Sequence, residues 1–425
     1  MNVTVPAGRR CGTVSIPASK SCAHRRLICA ALAQNKSTMY CDGVSKDIAA
    51  TIACLTEMGA KIEDKGNGSF EIEPISQVNR KLGIMPLRIF PLFCGESGST
   101  LRFLVPVVGA LGLDVVFHME GKLPKRPMTD LTEVLTAHGM VIRQEENLLY
   151  CSGTLRPGLF EIPGNISSQY ISGLLFALPL LSGDSTLKVT GNVESADYIY
   201  MTEDAVGGSG IRFKREDWTY EIPGNQTYKT APHVNIEKDW SNAAFFLCMG
   251  AISEKGITLS DMPTDSKQGD REILRILREF GAEITWNGTD LTAKKGTLHG
   301  IEVDAKAIPD LVPTIAALAS CAKGETRIVN AGRLRIKESD RLETTRAMLE
   351  ALGADITELP EGLVIRGKEC LTGGTVQAAN DHRIAMSAAV ASSYCKDPVE
   401  VIGAECVQKS FPDFWKDLSE LEVLK

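Results

Sequence analysis

Two kinds of apolar segment alternate along this chain. The first is amphipathic: apolar residues fall at helical spacing on one face, an aspartate stands near the start, and a glycine follows the end. The aspartates are Asp47, Asp130, Asp197, Asp270, Asp340 and Asp413, and the glycines are Gly59, Gly139, Gly210, Gly281 and Gly353. Behind each glycine the pattern changes to a strand, a turn and a second strand, as in Gly281-Ala282-Glu283-Ile284 and Gly353-Ala354-Asp355-Ile356. The glycines recur roughly every 70–80 residues, and a long fixed period marks a repeated supersecondary unit. Each glycine is expected to be a left-handed helix cap.

The second kind of segment is small and apolar nearly all round, as in Thr314-Ile315-Ala316-Ala317-Leu318-Ala319, which predicts helices buried in a domain interior. Their starts are polar: Ser19-Lys20-Ser21, Ser97-Gly98-Ser99, Ser167-Ser168-Gln169, Asp239-Trp240-Ser241, Pro309-Asp310 and Asn380-Asp381-His382-Arg383. That makes six units. The sixth has no glycine hairpin behind Asp413, whereas Val3 to Pro6, a turn at Ala7-Gly8-Arg9, and Thr13 to Ile16 read as an orphan hairpin. The sixth unit is therefore expected to be split between the chain ends. Two domains of three units follow: residues 18–231, and residues 232–425 completed by the N-terminal hairpin of residues 1–17. The crossovers fall near residues 18 and 232, the second in the Pro-containing stretch Tyr228 to His233.

Length supports two domains, since 425 residues exceed one ordinary core. The 46 Lys+Arg against 53 Asp+Glu give a net charge of −7, which disfavours nucleic acid or an anionic membrane as partner. Basic clusters must then be local. The twelve cysteines show no CxxC and no zinc spacing, and no secretory segment opens the chain, so a reducing, cytoplasmic setting is expected. His24, His118, His138, His233, His299 and His382 are scattered and support no metal site. The longest apolar run, Ile171 to Leu181, is too short to span a bilayer.

The charges gather at helix starts. In Arg333-Leu334-Arg335-Ile336-Lys337-Glu338-Ser339-Asp340-Arg341, four cations and two carboxylates precede or open a helix capped by Ser339 or Asp340. A helix N-terminus with cations around it holds phosphate or carboxylate, although a single such run is more often a solvated salt-bridge cluster. Recurrence decides for function. Lys20 and Arg25, Arg102, Arg126, Arg383 and Lys409 occupy corresponding places in other units, with Ser21, Ser167, Ser168 and Gln169 as neutral donors. Small, multiply anionic ligands are expected in a cleft between two faces of helix starts. Asp310 and Glu338 are the carboxylates placed to move protons.

The motifs Ser19-Lys20-Ser21 with Arg25, Gly95-Glu96-Ser97-Gly98-Ser99-Thr100 with Arg102, Lys125-Arg126-Pro127, Ser167-Ser168-Gln169, Ile308-Pro309-Asp310, Lys337-Glu338-Ser339-Asp340-Arg341, Asn380-Asp381-His382-Arg383 and Lys409-Ser410-Phe411-Pro412-Asp413 occur in that order. Over essentially its whole length the chain resembles the 3-phosphoshikimate 1-carboxyvinyltransferases, the enolpyruvylshikimate-phosphate synthases of aromatic amino acid biosynthesis. The resemblance implies an α/β fold, a two-domain inside-out α/β barrel of six βαβαββ repeats. It also implies a monomer that transfers the enolpyruvyl group of phosphoenolpyruvate to the 5-hydroxyl of shikimate 3-phosphate, with no metal or cofactor. By motif, Lys20, Ser21, Arg25, Ser167, Ser168, Gln169, Ser195, Tyr198, Asp310 and Lys337 would hold shikimate 3-phosphate. Lys20, Gly98, Arg126, Gln169, Arg341, Arg383 and Lys409 would hold phosphoenolpyruvate. Asp310, Glu338 and Lys20 would be catalytic.

Ser195 and Tyr198 also read as a helix cap and a core filler, and Gly98 as a turn glycine. Ala18, Glu96, Phe103 and Arg333 depart from the commonest family pattern, and Glu96 adds a negative charge near an expected anion. Two other readings stand beside the main one. The sibling transferase acting on UDP-N-acetylglucosamine carries a Cys before its Arg-Pro motif, whereas His118 to Asp130 contains none here. A non-catalytic anion binder built on the same repeat would gain nothing from Asp310 and Glu338.

Overall fold

The computed structural model describes residues 1–75 and 89–424. The chain divides into two compact units, Ala18–Ile236 and Met1–Pro17 with Glu237–Lys425. All five repeat glycines, Gly59, Gly139, Gly210, Gly281 and Gly353, have positive φ, between 82° and 106°. A side chain there would be strained, which is why glycine marks each helix-to-hairpin junction.

In Ala18–Ile236 the described strands form three four-stranded sheets of one plan. In the clearest, Phe90–Gly95 runs parallel to Val115–Met119, which pairs antiparallel with Leu148–Gly153, the hairpin partner of Met140–Glu145. Leu159–Pro163, Ser185–Thr190, Thr219–Ile222 and Lys214–Glu216 repeat it. The first sheet holds Ser37–Tyr40, Ser69–Glu73 and Lys61–Gly66, and its lead strand, His233–Asn235, comes from far along the chain. The second crossover consequently falls after Ile236 and not near 232: His233–Asn235 still has backbone to pair with Thr38–Tyr40.

Helices Lys20–Leu32, Gly98–Leu111 and Ser168–Ala177 are buried nearly all round. Gly173 explains how closely the last two approach, because a Cβ on it would lie 2.3 Å from the Arg102 carbonyl oxygen. That contact sets the two helix starts side by side.

The other unit repeats the plan with a correction to the orphan hairpin. Asn2–Val5 and Arg10–Ser15 do not pair with each other; they enter different sheets. Asn2–Val5 pairs antiparallel with Val399–Ile402, while Arg10–Ser15 leads the sheet of Ile257–Ser260 in parallel and also meets Glu422–Val423. A turn signal between two apolar runs fixes that the chain reverses; which strand each run pairs with is set by where buried Val5, Val14 and Ile16 find cover. The buried helices here are Trp240–Ile252, Val312–Ala319 and His382–Ser392, and the first is buried along its entire length. Among the described residues no helix is long and apolar enough to cross a membrane.

Candidate active site

In Ala18–Ile236 the expected residues collect at the starts of the three buried helices. Ser19 caps Lys20–Leu32 by accepting from the Cys22 N–H, and Lys20 Nζ lies 2.8 Å from Asp47, in the first turn of Lys46–Glu57. One turn on, Arg25 is buried and held by neutral groups. Its Nε donates to Thr202 Oγ1 at 2.8 Å, and its two terminal nitrogens donate to the carbonyls of Ser21 and Tyr198, each at 2.7 Å. The Phe103 and Tyr198 rings lie 5.0 and 6.0 Å from its guanidinium carbon. Burial lowers its pKa to about 10. Ser195, just ahead of Ala196–Gly207, is buried with φ at 54°, a left-handed conformation that costs a non-glycine residue about 1 kcal/mol or more. It takes the cap position without a side-chain cap bond.

Ser97 caps Gly98–Leu111 by accepting from the Thr100 N–H. Gly98 has no positive φ; the left-handed residue of that loop is Gly95, at 55°. What Gly98 lacks room for is a side chain, since a Cβ would lie 2.8 Å from an Arg102 guanidinium nitrogen and 2.9 Å from one of Arg126. The turn reading of Gly98 therefore falls, and close approach of two guanidinium groups replaces it. Arg102 also donates to Gln169 Oε1 at 2.8 Å and to the Pro127 carbonyl at 3.0 Å. Gln169 Nε2 in turn donates to Ser99 at 2.9 Å. Ser167 caps Ser168–Ala177 through the Gln169 N–H, and Ser168, its first residue, is buried. Gly98, Arg126 and Gln169 thus come together around Arg102, a residue that motif transfer had not placed in the site.

In the other unit, Arg341 is the hub. It opens Arg341–Ala351, whose cap is Asp340, accepting from the Leu342 and Glu343 N–H groups. The guanidinium is only 1% exposed and meets three carboxylates: Asp381 at 2.8 Å, Asp310 at 2.7 Å and Glu338 at 2.7 Å. Asp310 also takes Arg383 on its second oxygen at 3.0 Å, with Lys337 Nζ 3.7 Å from the first. Burial alone would raise the Asp310 pKa, but Arg383, Lys337 and Arg341 outweigh it and hold the carboxyl well below its ordinary value. Lys337 answers in the opposite sense. Burial brings its pKa down to about 8, with the Arg333 and Arg341 charges adding to the effect and Asp310 opposing it.

Ser339 donates to Asp381, which also accepts from the Arg383 backbone N–H. Ala379 and Asn380 both have positive φ, and the Asn380 carbonyl so turned accepts from Lys409 Nζ at 3.1 Å. Asp310, Lys337, Glu338, Arg341 and Arg383 thereby lie at or just ahead of helix starts of one unit, and Lys409, the last residue of the short helix Ala404–Lys409, joins them through the Asn380 carbonyl. The run that opens this cluster is not uniform, however. Arg335 bonds Asp340, Glu358 and the carbonyls of Leu359 and Pro360, an ion-pair strut with no share in the hub.

Sequence reasoning had read Asp47 and Asp381 as helix openers only. Each is also the carboxylate partner of a site cation on a different helix, Asp47 of Lys20 and Asp381 of Arg341, and nothing local to either aspartate signals that second role. Chemically, a set of fixed guanidinium and ammonium groups suits ligands with phosphate and carboxylate groups. Carboxylates among them can shuttle protons while the cations stabilise charge that moves onto a departing anion.

The family model described as EPSP synthase (3-phosphoshikimate 1-carboxyvinyltransferase) matches residues 6–418. A 3-phosphoshikimate 1-carboxyvinyltransferase of Clostridium kluyveri is 43% identical over 413 residues, covering 96% of this chain and 95% of its own. That of Clostridioides difficile is 42% identical over 421 residues, with the same coverage. A solved EPSP synthase structure from Acinetobacter baumannii superposes with a TM-score of 0.81 at 26% identity, over 100% of this chain and 99% of that one. Sequence identity at this level along nearly the whole chain, together with the shared fold, shows that the chain belongs to the EPSP synthase family.

Proposed function

We propose that the protein transfers the enolpyruvyl group of phosphoenolpyruvate to the 5-hydroxyl of shikimate 3-phosphate and releases phosphate, in the cytoplasm and as a monomer. Family membership supports the reaction class. The observation that carries the site assignment is the Arg341 hub, where Asp310 and Glu338 share one buried guanidinium within reach of Lys337 and Arg383.

In this reading Lys20, Ser21, Arg25, Ser167, Ser168, Gln169, Ser195, Tyr198, Asp310 and Lys337 hold shikimate 3-phosphate. Lys20, Gly98, Arg126, Gln169, Arg341, Arg383 and Lys409 hold phosphoenolpyruvate. The 5-hydroxyl adds to C2 of phosphoenolpyruvate as Asp310 takes its proton and as Glu338, with Lys20, delivers a proton to C3. C3 then returns a proton, the C2–O bond to phosphate breaks, and the enol ether forms. At rest Asp310 is a weak base, because Arg341 and Arg383 hold it ionised. A substrate anion against the same guanidinium groups takes up part of their charge and raises the basicity of Asp310, so the base is strengthened when substrate is bound.

Purified protein given both substrates and no divalent metal should release inorganic phosphate. A requirement for UDP-N-acetylglucosamine, or for a metal, would refute the assignment. Light scattering should give a mass near 46.0 kDa, that of one chain.

A further inference from the structure

Arg383 is held from two sides. One terminal nitrogen donates to Asp310 Oδ2 at 3.0 Å and to the Ser241 hydroxyl at 2.8 Å, and the other donates to the Asp310 carbonyl at 3.0 Å. Ser241, second residue of the buried helix Trp240–Ile252, has a single proton and gives it to Asp270 Oδ2 at 2.6 Å. The hydroxyl can therefore offer Arg383 only a lone pair. Asp270 is fixed in turn by its neighbour: Gln268 accepts from the Trp240 N–H at 3.1 Å and donates to the Lys238 carbonyl at 2.9 Å. This ties the turn Gly269–Glu272 to the opening of the Trp240 helix. Ser241, Asp270 and Arg383 are all at least nine-tenths buried.

The two sides differ in what the reaction does to them. Asp310 is a reacting group in the proposed mechanism, and a protonated Asp310 loses much of its charge-assisted hold on Arg383. In that mechanism the Ser241–Asp270 side exchanges no proton with substrate, and Gln268 bonds to the backbone on both sides of Asp239. We infer that Asp270, acting through the Ser241 hydroxyl, is a positioning residue that keeps the Arg383 guanidinium aimed at phosphoenolpyruvate while Asp310 changes charge. Burial, with the Asp310 charge adding to it, pushes the Asp270 pKa up to about 6. At neutral pH the carboxylate is thus ionised and can hold the Ser241 proton. The inference rests on the reading that Arg383 holds phosphoenolpyruvate.

The test measures KM for each substrate, kcat and the melting temperature in Asp270→Asn, Ser241→Ala, Ser241→Thr, the Asp270→Asn/Ser241→Ala double variant and Arg383→Lys. Asp270→Asn and Ser241→Ala should each raise the KM for phosphoenolpyruvate roughly tenfold, the scale of one hydrogen bond to a charged group. The KM for shikimate 3-phosphate should stay within about twofold. The double variant should be no worse than either single one, because both break the same chain of bonds. Ser241→Thr keeps the hydroxyl and should restore the KM. A lower melting temperature with unchanged phosphoenolpyruvate KM in Ser241→Ala would make the chain merely structural and overturn the inference. Additive effects in the double variant would overturn the route through Ser241. If Arg383→Lys itself leaves that KM unchanged, the Arg383 reading fails and this inference with it. A raised KM in Arg383→Lys beside normal values in Ser241→Ala and Asp270→Asn sinks the inference alone.

Discussion

Two buried arginines, one in each unit, are held in opposite ways. Arg25 is surrounded by a threonine hydroxyl, two backbone carbonyls and two aromatic rings, and burial lowers its pKa to about 10. Arg341 is surrounded by Asp310, Glu338 and Asp381; burial opposes its charge, yet these carboxylates raise its pKa. The first is a charge kept in place by dipoles, so a ligand anion is the partner that would relieve its desolvation. The second is already neutralised, and a ligand anion must share it with carboxylates. In the proposed mechanism Arg25 therefore serves binding, and Arg341 couples binding to the state of Asp310 and Glu338.

The largest expected difference is in stability. Arg341→Ala would strand Asp381, which is fully buried, and removing one partner of a buried pair costs about 3–5 kcal/mol. Arg25→Gln strands only neutral acceptors, about 1–3 kcal/mol, and should show itself chiefly as a raised KM for shikimate 3-phosphate. Denaturant unfolding of both variants checks this, and equal stability losses would erase the distinction between the two sites.

Next is proton transfer. Asp310→Asn should lower kcat by about 10²-fold or more, with KM changes smaller than that, since an amide keeps one acceptor oxygen for Arg341 or Arg383 but cannot take a proton. Steady-state kinetics decide it; a large KM change with normal kcat would make Asp310 a binding residue only.

Smaller again is Gly98→Ala. The added methyl meets only the far ends of Arg102 and Arg126, which can shift, so the fold should hold or gain slightly in helix propensity. The KM for phosphoenolpyruvate should rise about tenfold through displaced guanidinium groups, with shikimate 3-phosphate less affected. An unchanged phosphoenolpyruvate KM in a destabilised protein would remove Gly98 from the site.

The smallest effect is a pH dependence. The folded pKa of Lys337, about 8, lies below its ordinary value of 10.5, so its charge is present below pH 8 and lost above it. The KM for shikimate 3-phosphate should climb as pH passes 8, and Lys337→Arg should flatten the rise. The sign for stability follows: the buried charge is least favourable below pH 8, and its cost fades between about 8 and 10.5. Asp381 runs the other way. Burial would raise its pKa, but Arg341 outweighs this and lowers it, so its stabilisation is present above about pH 4 and lost as acid protonates it. A KM flat across pH 7–9.5 would deny Lys337 a role in binding.

How much of this was legible in the chain depends on how local the cause is. The glycine caps were readable because a positive φ selects glycine at that residue alone. The buried helices were readable because apolar character all round has one meaning. Strand pairing was not. Asn2–Val5 and Arg10–Ser15 look like a hairpin in sequence, yet each pairs with a strand hundreds of residues away. Within the site, cations at helix starts were visible, whereas their partners were hidden behind a second role. Asp381 is a cap for Arg383 and an ion partner of Arg341, and the capping signal masked the other. Arg335 and Arg341 look alike in the run from 333 to 341, and only the position of Glu358 on the neighbouring hairpin sends Arg335 to a structural strut.

The central claim is that the carboxylates of the Arg341 hub, Asp310 and Glu338, move the protons in the proposed mechanism, while cations such as Arg126 only hold substrate. The most direct measurement is kcat and KM for Glu338→Gln beside Arg126→Ala. The account predicts a fall in kcat of about 10²-fold or more with near-normal KM values for Glu338→Gln, and a raised phosphoenolpyruvate KM for Arg126→Ala. Full turnover in Glu338→Gln would contradict it, leaving Glu338 a structural partner of Arg341.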